Sequence, residues 1–349
     1  MSIENSLTRR QIFIQRFAGS EALSAEREIV RIYREIQTRI LREPTDFQAD
    51  RLVNMRRDIA IILSQGFDRL NAGITENILG FSNDEVSFAF RALGLETNVV
   101  LLMPAIAGVE RAVLKFGLDV PVGPDTLTME EALTQFTINK SREISLLIGD
   151  GILLGDTTPQ IAKKVGELAT ARPKHQVNAL VRTLINHAGS MARSAVMEQN
   201  SELLAGEEWV ATLDNRTTLI CAGRDGRIYP VGKGPQSPAH WNCRSLRVPV
   251  LKPEFDIQDD KATRAQKGEK KGQVSTKTKF DGWLRGQSAE FQDEYFSQFP
   301  DGAEKAALFR RGGLDIQQFR DETGRNFTLE QLRGLEPVAF DKANIPPPS

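Results

Sequence analysis

The chain has 349 residues, more than one small core accommodates, so two or three domains are expected. With 40% hydrophobic residues, 26% charged residues and a net charge of −1, it is neither a disordered chain nor a strongly basic DNA-coating protein. Two cysteines, Cys221 and Cys243, exclude a disulfide-built scaffold and fit synthesis in a reducing compartment.

The first residues, MSIENSLTRRQ, lack an apolar core of secretory type, so no signal peptide is expected. Every basic residue before Lys115 is an arginine, which suits arginine-rich interfaces. From about residue 20 to residue 205 the pattern is helical. Ile29, Ile32, Ile36 and Ile40 form one stripe within Glu26–Arg42, and Pro44 breaks it. Met55, Ile59, Ile62 and Phe67 continue at the spacing of an amphipathic helix. Residues 99–109, the most apolar run, contain Pro104 and are too short to span a bilayer; they read as a buried helix end. Thr128 with Glu131 forms a capping box that opens a helix carrying Leu133, Phe136, Ile144 and Leu147. Gly151 and Gly155 interrupt that helix, and Asp156–Pro159 caps the next. A further helix runs from Pro173 to Gln199, with Val177, Leu180, Leu184, Ala188, Met191 and Ala195 on its apolar side.

After Gly206 the character changes. Trp209–Thr212, Arg227–Pro230 and Leu246–Val250 read as short strands separated by turn residues such as Asp225-Gly226. Residues 255–275 are charged, lysine-rich and poor in apolar residues, as a solvated linker is. Beyond them Phe280, Trp283, Tyr295, Phe296, Phe309 and Phe319 mark an aromatic-rich tail, with Thr328 and Gln331 as another capping box. The fold class expected is therefore predominantly helical α+β. An elongated helical bundle occupies residues 1–205, a small β-containing module 206–254, a charged linker 255–275, and a small helical domain 276–340. At about 50 residues the module is small for independent stability, so it must lean on the helices or carry a staple.

The module also holds the one constellation with specific content. Asp214 or Asn215 can cap a short turn over Arg216, Thr217 and Thr218; Cys221, the Asp225-Gly226 turn, and His240-x-x-Cys243 follow. If the strands pair, Cys221, His240 and Cys243 approach one another. Three soft ligands at this spacing can hold zinc, but a closed structural site needs a fourth, from Asp214 or Asp225. The alternative is that the two cysteines are small buried hydrophobes and His240 hydrogen-bonds a backbone carbonyl. A disulfide or a Cys221–His240 nucleophile pair also stays open, although nothing supplies an oxyanion hole. Lipase-type, zincin, Walker A, Rossmann and zinc-deaminase signatures are absent.

The segment resembles the Mu protein F-like minor head proteins of the phage head morphogenesis family. That family carries Asp-x-Arg-Thr-Cys-x-x-Cys, a Leu-Asp-Gly-x-hydrophobic turn, and Pro-x-His-x-Asn-Cys-Arg-Cys. The matching positions are Asp214, Arg216, Thr217 and Cys221, then Asp225, Gly226 and Ile228, then Pro238, His240, Asn242, Cys243 and Arg244. Thr218 and Ser245 stand where the family has cysteines, which counts against a metal centre. The retained residues then read as a hydrogen-bonded turn network that fixes the β-module. The resemblance extends to Arg182-Thr183 with Ala188, to Gly151 and Gly155–Thr157, and to the tail phrase from Phe280 onward, over about residues 125–335.

What the resemblance implies is a structural virion protein near the portal vertex, made in the host cytoplasm and acting in head assembly and DNA packaging or ejection. Its partners would be the portal protein, other head proteins and, in passing, packaged DNA, with no membrane. It implies no catalytic residue and no cofactor; if zinc is bound, its set is Cys221, His240 and Cys243. Rival readings are a toxin-type enzyme, ADP-ribosyltransferase-like or Cys/His-dependent, and a DNA-binding protein. For the last, Lys261, Arg264, Lys267, Lys270 and Lys271 offer transient contacts, while Arg27, Arg31 and Arg34 are balanced by Glu26, Glu28 and Glu35. His175 and His187 read as ordinary structural histidines.

Overall fold

The computed structural model describes residues 3–43, 49–95, 97, 99–120, 126–171, 173–255 and 263–346. Pro44, the expected breaker, residues 256–262 with Lys261, and residues 347–349 lie outside the described residues. The architecture is α+β and predominantly helical, as the sequence leads one to expect.

Two long helices, α1 (Ile3–Leu41) and α2 (Ala49–Gly94), form the spine. On α1 the buried positions run Leu7, Ile14, Ala18, Ala22, Ala25, Ile29, Ile32, Ile36 and Ile40, a seam of three- and four-residue steps. On α2 the matching seam is Met55, Ile59, Leu63, Phe67, Leu70, Ile74, Ile78 and Phe81. Helicity thus starts well before residue 20; alanines, which weaken the hydrophobic signal, let the two helices pack closely.

The helices α3 (Ile106–Lys115), α4 (Met129–Leu153), α5 (Thr158–Ala171) and α6 (Pro173–Gln199) complete the bundle. Thr128 and Glu131 make the capping box at the start of α4. Gly155 adopts a positive φ of 76° where α4 gives way to α5. Gly151 does not interrupt α4: it is buried inside the helix, where Ile161 packs against it. The run at 99–109 departs further from expectation. Val99, Val100, Leu102 and Met103 are exposed and only the helix from Ile106 onward is regular, with Val109 buried. Pro104 disfavours helix in the residue before it, and Asn200 holds Leu102 extended by bonding its N–H and its carbonyl.

The bundle is also pinned by buried charge. Glu85 on α2 is fully buried and receives Arg10 of α1 and Arg193 of α6, each at 2.8 Å. Three helices meet at this one carboxylate. His187 of α6 is fully buried against the Val113 carbonyl at 3.2 Å, and burial pushes its pKa down to about 4.

After α6, strand β1 (Leu204–Val210) is followed by β2 (Leu213–Asp214), the short helix α7 (Leu219–Arg224), β3 (Ile228–Tyr229) and β4 (Leu246–Leu251). β1 is central, with β3 and β4 antiparallel on either side. At Gly206 a Cβ would sit 2.7 Å from the Tyr229 carbonyl, so glycine permits the β1–β3 approach. Leu204, Val210, Leu246, Val248 and Leu251 join the helical core, so the module leans on the bundle.

Residues 263–275, expected as part of a solvated linker, are ordered strands. β5 (Thr263–Lys267) pairs parallel with β2 and antiparallel with β6 (Lys271–Ser275). The inward positions of β5 are polar, Arg264 and Gln266, so the alternation that marks a half-buried strand has no apolar residues to show it. The tail comprises α8 (Phe280–Arg285), α9 (Ala289–Ser297), α10 (Gly302–Ala307), α11 (Leu329–Leu335) and α12 (Pro337–Ala343). The Thr328–Gln331 capping box opens α11. Phe280, Trp283, Tyr295, Phe296, Phe309 and Phe319 form its core together with Leu213, Leu219 and Ala222 of the module.

Two outcomes are expected. Glu85→Ala strands the buried Arg193 guanidinium and the half-buried one of Arg10, and should cost about 3–5 kcal/mol in urea unfolding; a loss below about 1 kcal/mol would remove Glu85 as the bundle's anchor. For His187, the unfolded ring takes up a proton near pH 6.5 while the folded ring stays neutral to about 4. Its contribution is therefore present above pH 6.5 and lost as pH falls toward 4, at about 1.4 kcal/mol per pH unit. Relative to His187→Gln, the wild type should lose about 2 kcal/mol more between pH 7 and pH 5, and parallel curves would contradict this.

Candidate functional site

The site is built where the β-module meets the bundle and the tail. Between β2 and α7, Asp214 caps the turn as its spacing suggests: Oδ1 accepts the Arg216 N–H at 3.1 Å. The Thr217 hydroxyl donates to the Thr212 carbonyl at 2.5 Å and closes the same turn. Arg244 then grips both Asp214 oxygens, one through Nη2 at 2.8 Å and the other through Nη1. Burial alone raises the Asp214 pKa, but this bidentate cation, helped by Arg216, holds it below the usual carboxylate range.

Asp225 lies at the end of α7, with Gly226 at φ 83° making the turn that follows. Its carboxylate is buried and fully used. Oδ1 accepts the Ala211 N–H at 2.7 Å and Arg264 Nη2 at 3.1 Å. Oδ2 accepts the Phe280 N–H at 2.7 Å and Arg264 Nη1 at 3.0 Å. Arg264 also donates to the carbonyls of Ala211 and Thr278. One ion pair thus joins the module, the β5–β6 hairpin and the first tail helix.

The sulfur cluster joins Cys221, which lies between these two carboxylates along the chain, to His240 and Cys243 beyond them. α7 carries Cys221, while the loop before β4 carries His240 and Cys243, turned toward each other by the Cys243 N–H to His240 carbonyl bond at 3.1 Å. Cys221 Sγ is 3.2 Å from His240 Nε2 and 3.7 Å from Cys243 Sγ. Both thiols are buried and His240 is half-buried. Although burial opposes ionisation, the Cys221 thiol and the His240 imidazole hold Cys243 well below the usual thiol range; burial and Cys243 push Cys221 up. His240 Nδ1 faces the Trp241 carbonyl at 2.9 Å.

Neither carboxylate can complete a metal site with this trio, contrary to the expectation that Asp214 or Asp225 would be the fourth ligand. Asp214 is held by Arg244 and Asp225 by Arg264 and two backbone N–H groups. Thr218 and Ser245 face Cys221 Sγ, so two hydroxyls lie beside the same sulfur.

Helices α1 and α6 reach the loop through polar side chains set in their apolar seams. Asn186 donates to Ser237 Oγ at 2.9 Å and accepts from Gln11 at 3.2 Å, while Gln11 also donates to the Arg244 carbonyl at 3.1 Å. Asn242 is exposed, with φ 60°, and its N–H bonds the Thr183 hydroxyl at 2.9 Å. Arg182 lies beside a cleft of about 890 Å³ that Arg216, His240, Trp241 and Arg244 also line. Burial and then the Arg216 and Arg244 charges lower its pKa, the mark of a cationic cluster. On the far side of β1, Glu207 and Arg247 form a second buried pair at 2.9 Å.

Asp214, Arg216, Thr217, Cys221, Asp225, Gly226, His240, Asn242, Cys243 and Arg244 thus meet within one module, with Arg216 and Asn242 reaching outward. Sequence reasoning missed Arg264, Asn186, Gln11 and the Glu207–Arg247 pair. Gln11 and Asn186 could have been found, since each is a polar residue at a seam position; Arg264 was one charge in a charged run.

Residues 142–247 match the family described as Phage Mu protein F like protein. The chain therefore carries a Phage Mu F-like region, from the middle of α4 to the second residue of β4, in agreement with the resemblance read from the motif. The tail phrase lies outside the matched segment. No curated protein and no solved structure matches the chain.

Asp225→Asn should destabilise by about 3–5 kcal/mol, because Arg264 loses its counter-charge in a buried setting. Hydrogen exchange should rise first in residues 263–286. An even rise across the chain would mean that the pair does not join hairpin and tail to the module.

Proposed function

We propose that the protein is a minor head protein of a tailed phage or prophage, present in the virion at the portal vertex and acting in head assembly and in DNA packaging or ejection. The observation that carries this reading is the match of residues 142–247 to the Phage Mu F-like family. The matched segment contains the Asp214–Arg244 turn and the Thr183 and Asn186 contacts that dock it onto the bundle.

The geometry supports a structural role for this module. Its motif carboxylates are consumed in holding segments together: Asp214 by Arg244, and Asp225 by Arg264 and the Ala211 and Phe280 N–H groups. Both cysteines are buried, which closes them to a substrate carbonyl. Among the described residues no helix is long and apolar enough to cross a membrane. The partners in this reading are the portal protein and other head proteins, met in the host cytoplasm during assembly.

The test is co-expression with the portal protein of the same phage or prophage. Stable co-purification at low and moderate salt is expected, with the chain present in purified particles. Absence from particles, together with failure to co-purify with tags at either end, would sink the reading. DNA binding without a portal, lost at modest salt, would favour a DNA-binding protein instead.

A further inference from the structure

We propose that Cys221, His240 and Cys243 bind one zinc ion, which staples α7 to the loop before β4. The three donor atoms lie within 4.8 Å of one another and come from two separate segments. Zinc takes thiolate at about 2.3 Å and imidazole at about 2.0–2.1 Å in a tetrahedron, which sets sulfur–sulfur edges near 3.8 Å and sulfur–nitrogen edges near 3.5 Å. The observed edges are 3.7 Å between the sulfurs and 3.2 Å from Cys221 Sγ to His240 Nε2. A two-sulfur, one-imidazole set is soft enough to select zinc over magnesium or calcium.

The surroundings are those of a metal ligand set. His240 Nδ1 lies 2.9 Å from the Trp241 carbonyl, so Nδ1 carries the proton and the Nε2 lone pair faces the thiols. Cys243 and Cys221 sit near the Arg244 guanidinium, whose charge favours thiolates there. Binding releases the two thiol protons to solvent, leaving zinc and two thiolates electrically balanced. His240 and Thr218 line the cleft, so a water from the cleft would supply the fourth ligand. A water there would lie near Thr218 Oγ1, the buried hydroxyl beside Cys221 Sγ. Asp214 and Asp225, tied to their arginines, take no part.

The cluster has little apolar packing of its own to hold it. Its apolar neighbours, Trp209, Ala211 and Ala239, form a small core of their own, apart from the two large ones. Zinc would close a chain segment of about 20 residues and fix the His240–Cys243 turn against α7.

The experiment uses the full chain, produced in zinc-supplemented medium and purified under a reductant that does not bind metal. Elemental analysis should give about one zinc per chain, falling below about 0.1 in Cys221→Ser and Cys243→Ser. Cobalt exchanged into the wild type should show the visible bands of a tetrahedral site and thiolate-to-cobalt charge transfer in the near ultraviolet. The wild-type readouts decide the matter even if a variant fails to fold. Metal-free wild type without a cobalt signal overturns the proposal. So does a Cys221–Cys243 disulfide found by peptide mapping of protein purified without reductant, or zinc that persists in both variants. His240→Ala should weaken retention against a chelator at least tenfold, and unchanged retention would remove His240 from the set.

Discussion

The structure depends on a buried carboxylate whose bonding capacity is filled. Asp225 accepts from Arg264 at both oxygens and from two backbone N–H groups, one before it in the chain and one 55 residues after it. A buried ion pair is seldom a net source of stability, because desolvation offsets the Coulomb attraction. Its value lies in exclusion: any register of β5 that removes Arg264 leaves a charge unpaired on each side. The hairpin has almost no apolar residues to choose its own position, so this pair chooses for it. The parallel β2–β5 pairing and the docking of α8 follow from that choice.

The same device recurs where apolar packing alone would allow slippage. Two long helices with seams of isoleucine, leucine and alanine can slide by a turn at little cost, since each seam step presents a similar surface. Glu85, bonded by Arg10 and Arg193, permits one alignment of α1, α2 and α6. Glu207 and Arg247 fix β1 against β4, and the Gly232 N–H ties the following loop to the same carboxylate. Fully buried pairs and amide networks thus mark each junction between elements, while the apolar cores fill the space between junctions.

This division explains what was legible in the sequence. Periodic apolar seams, the Thr128 and Thr328 caps, the Pro173–Gln199 helix and the strands at Arg227–Pro230 and Leu246–Val250 are local patterns that the structure contains, whereas the strand expected at Trp209–Thr212 lies earlier, at Leu204–Val210. Cys221, His240 and Cys243 were also legible as a group, because their spacing brings them together once β1 is flanked by β3 and β4. The junctions were not. Arg264 looks like any solvated charge until Asp225 is placed opposite it. The exposed 99–103 segment looks buried by composition, until Pro104 and the side chain of Asn200 hold it extended. Long-range pairing has no period, so residues whose role is to meet a distant partner are the ones a single sequence hides.

The module's position between two cores sharpens the meaning of its polar motif. Leu204, Val210, Leu246, Val248 and Leu251 belong to the helical core, whereas Leu213, Leu219 and Ala222 belong to the tail. The strand β1 and the helix α7 are therefore pulled toward different hydrophobic masses. What lies between them is a small cluster with Trp209, two cysteines and two alanines, too little apolar surface to hold three segments by burial alone. Directional bonds must carry that region, which is why Asp214, Asp225 and the Cys–His trio all fall within it. The Thr218 and Ser245 hydroxyls add to these bonds, since both lie beside the Cys221 sulfur. The motif is best understood as the joint at which two independently packed halves are made to share one geometry.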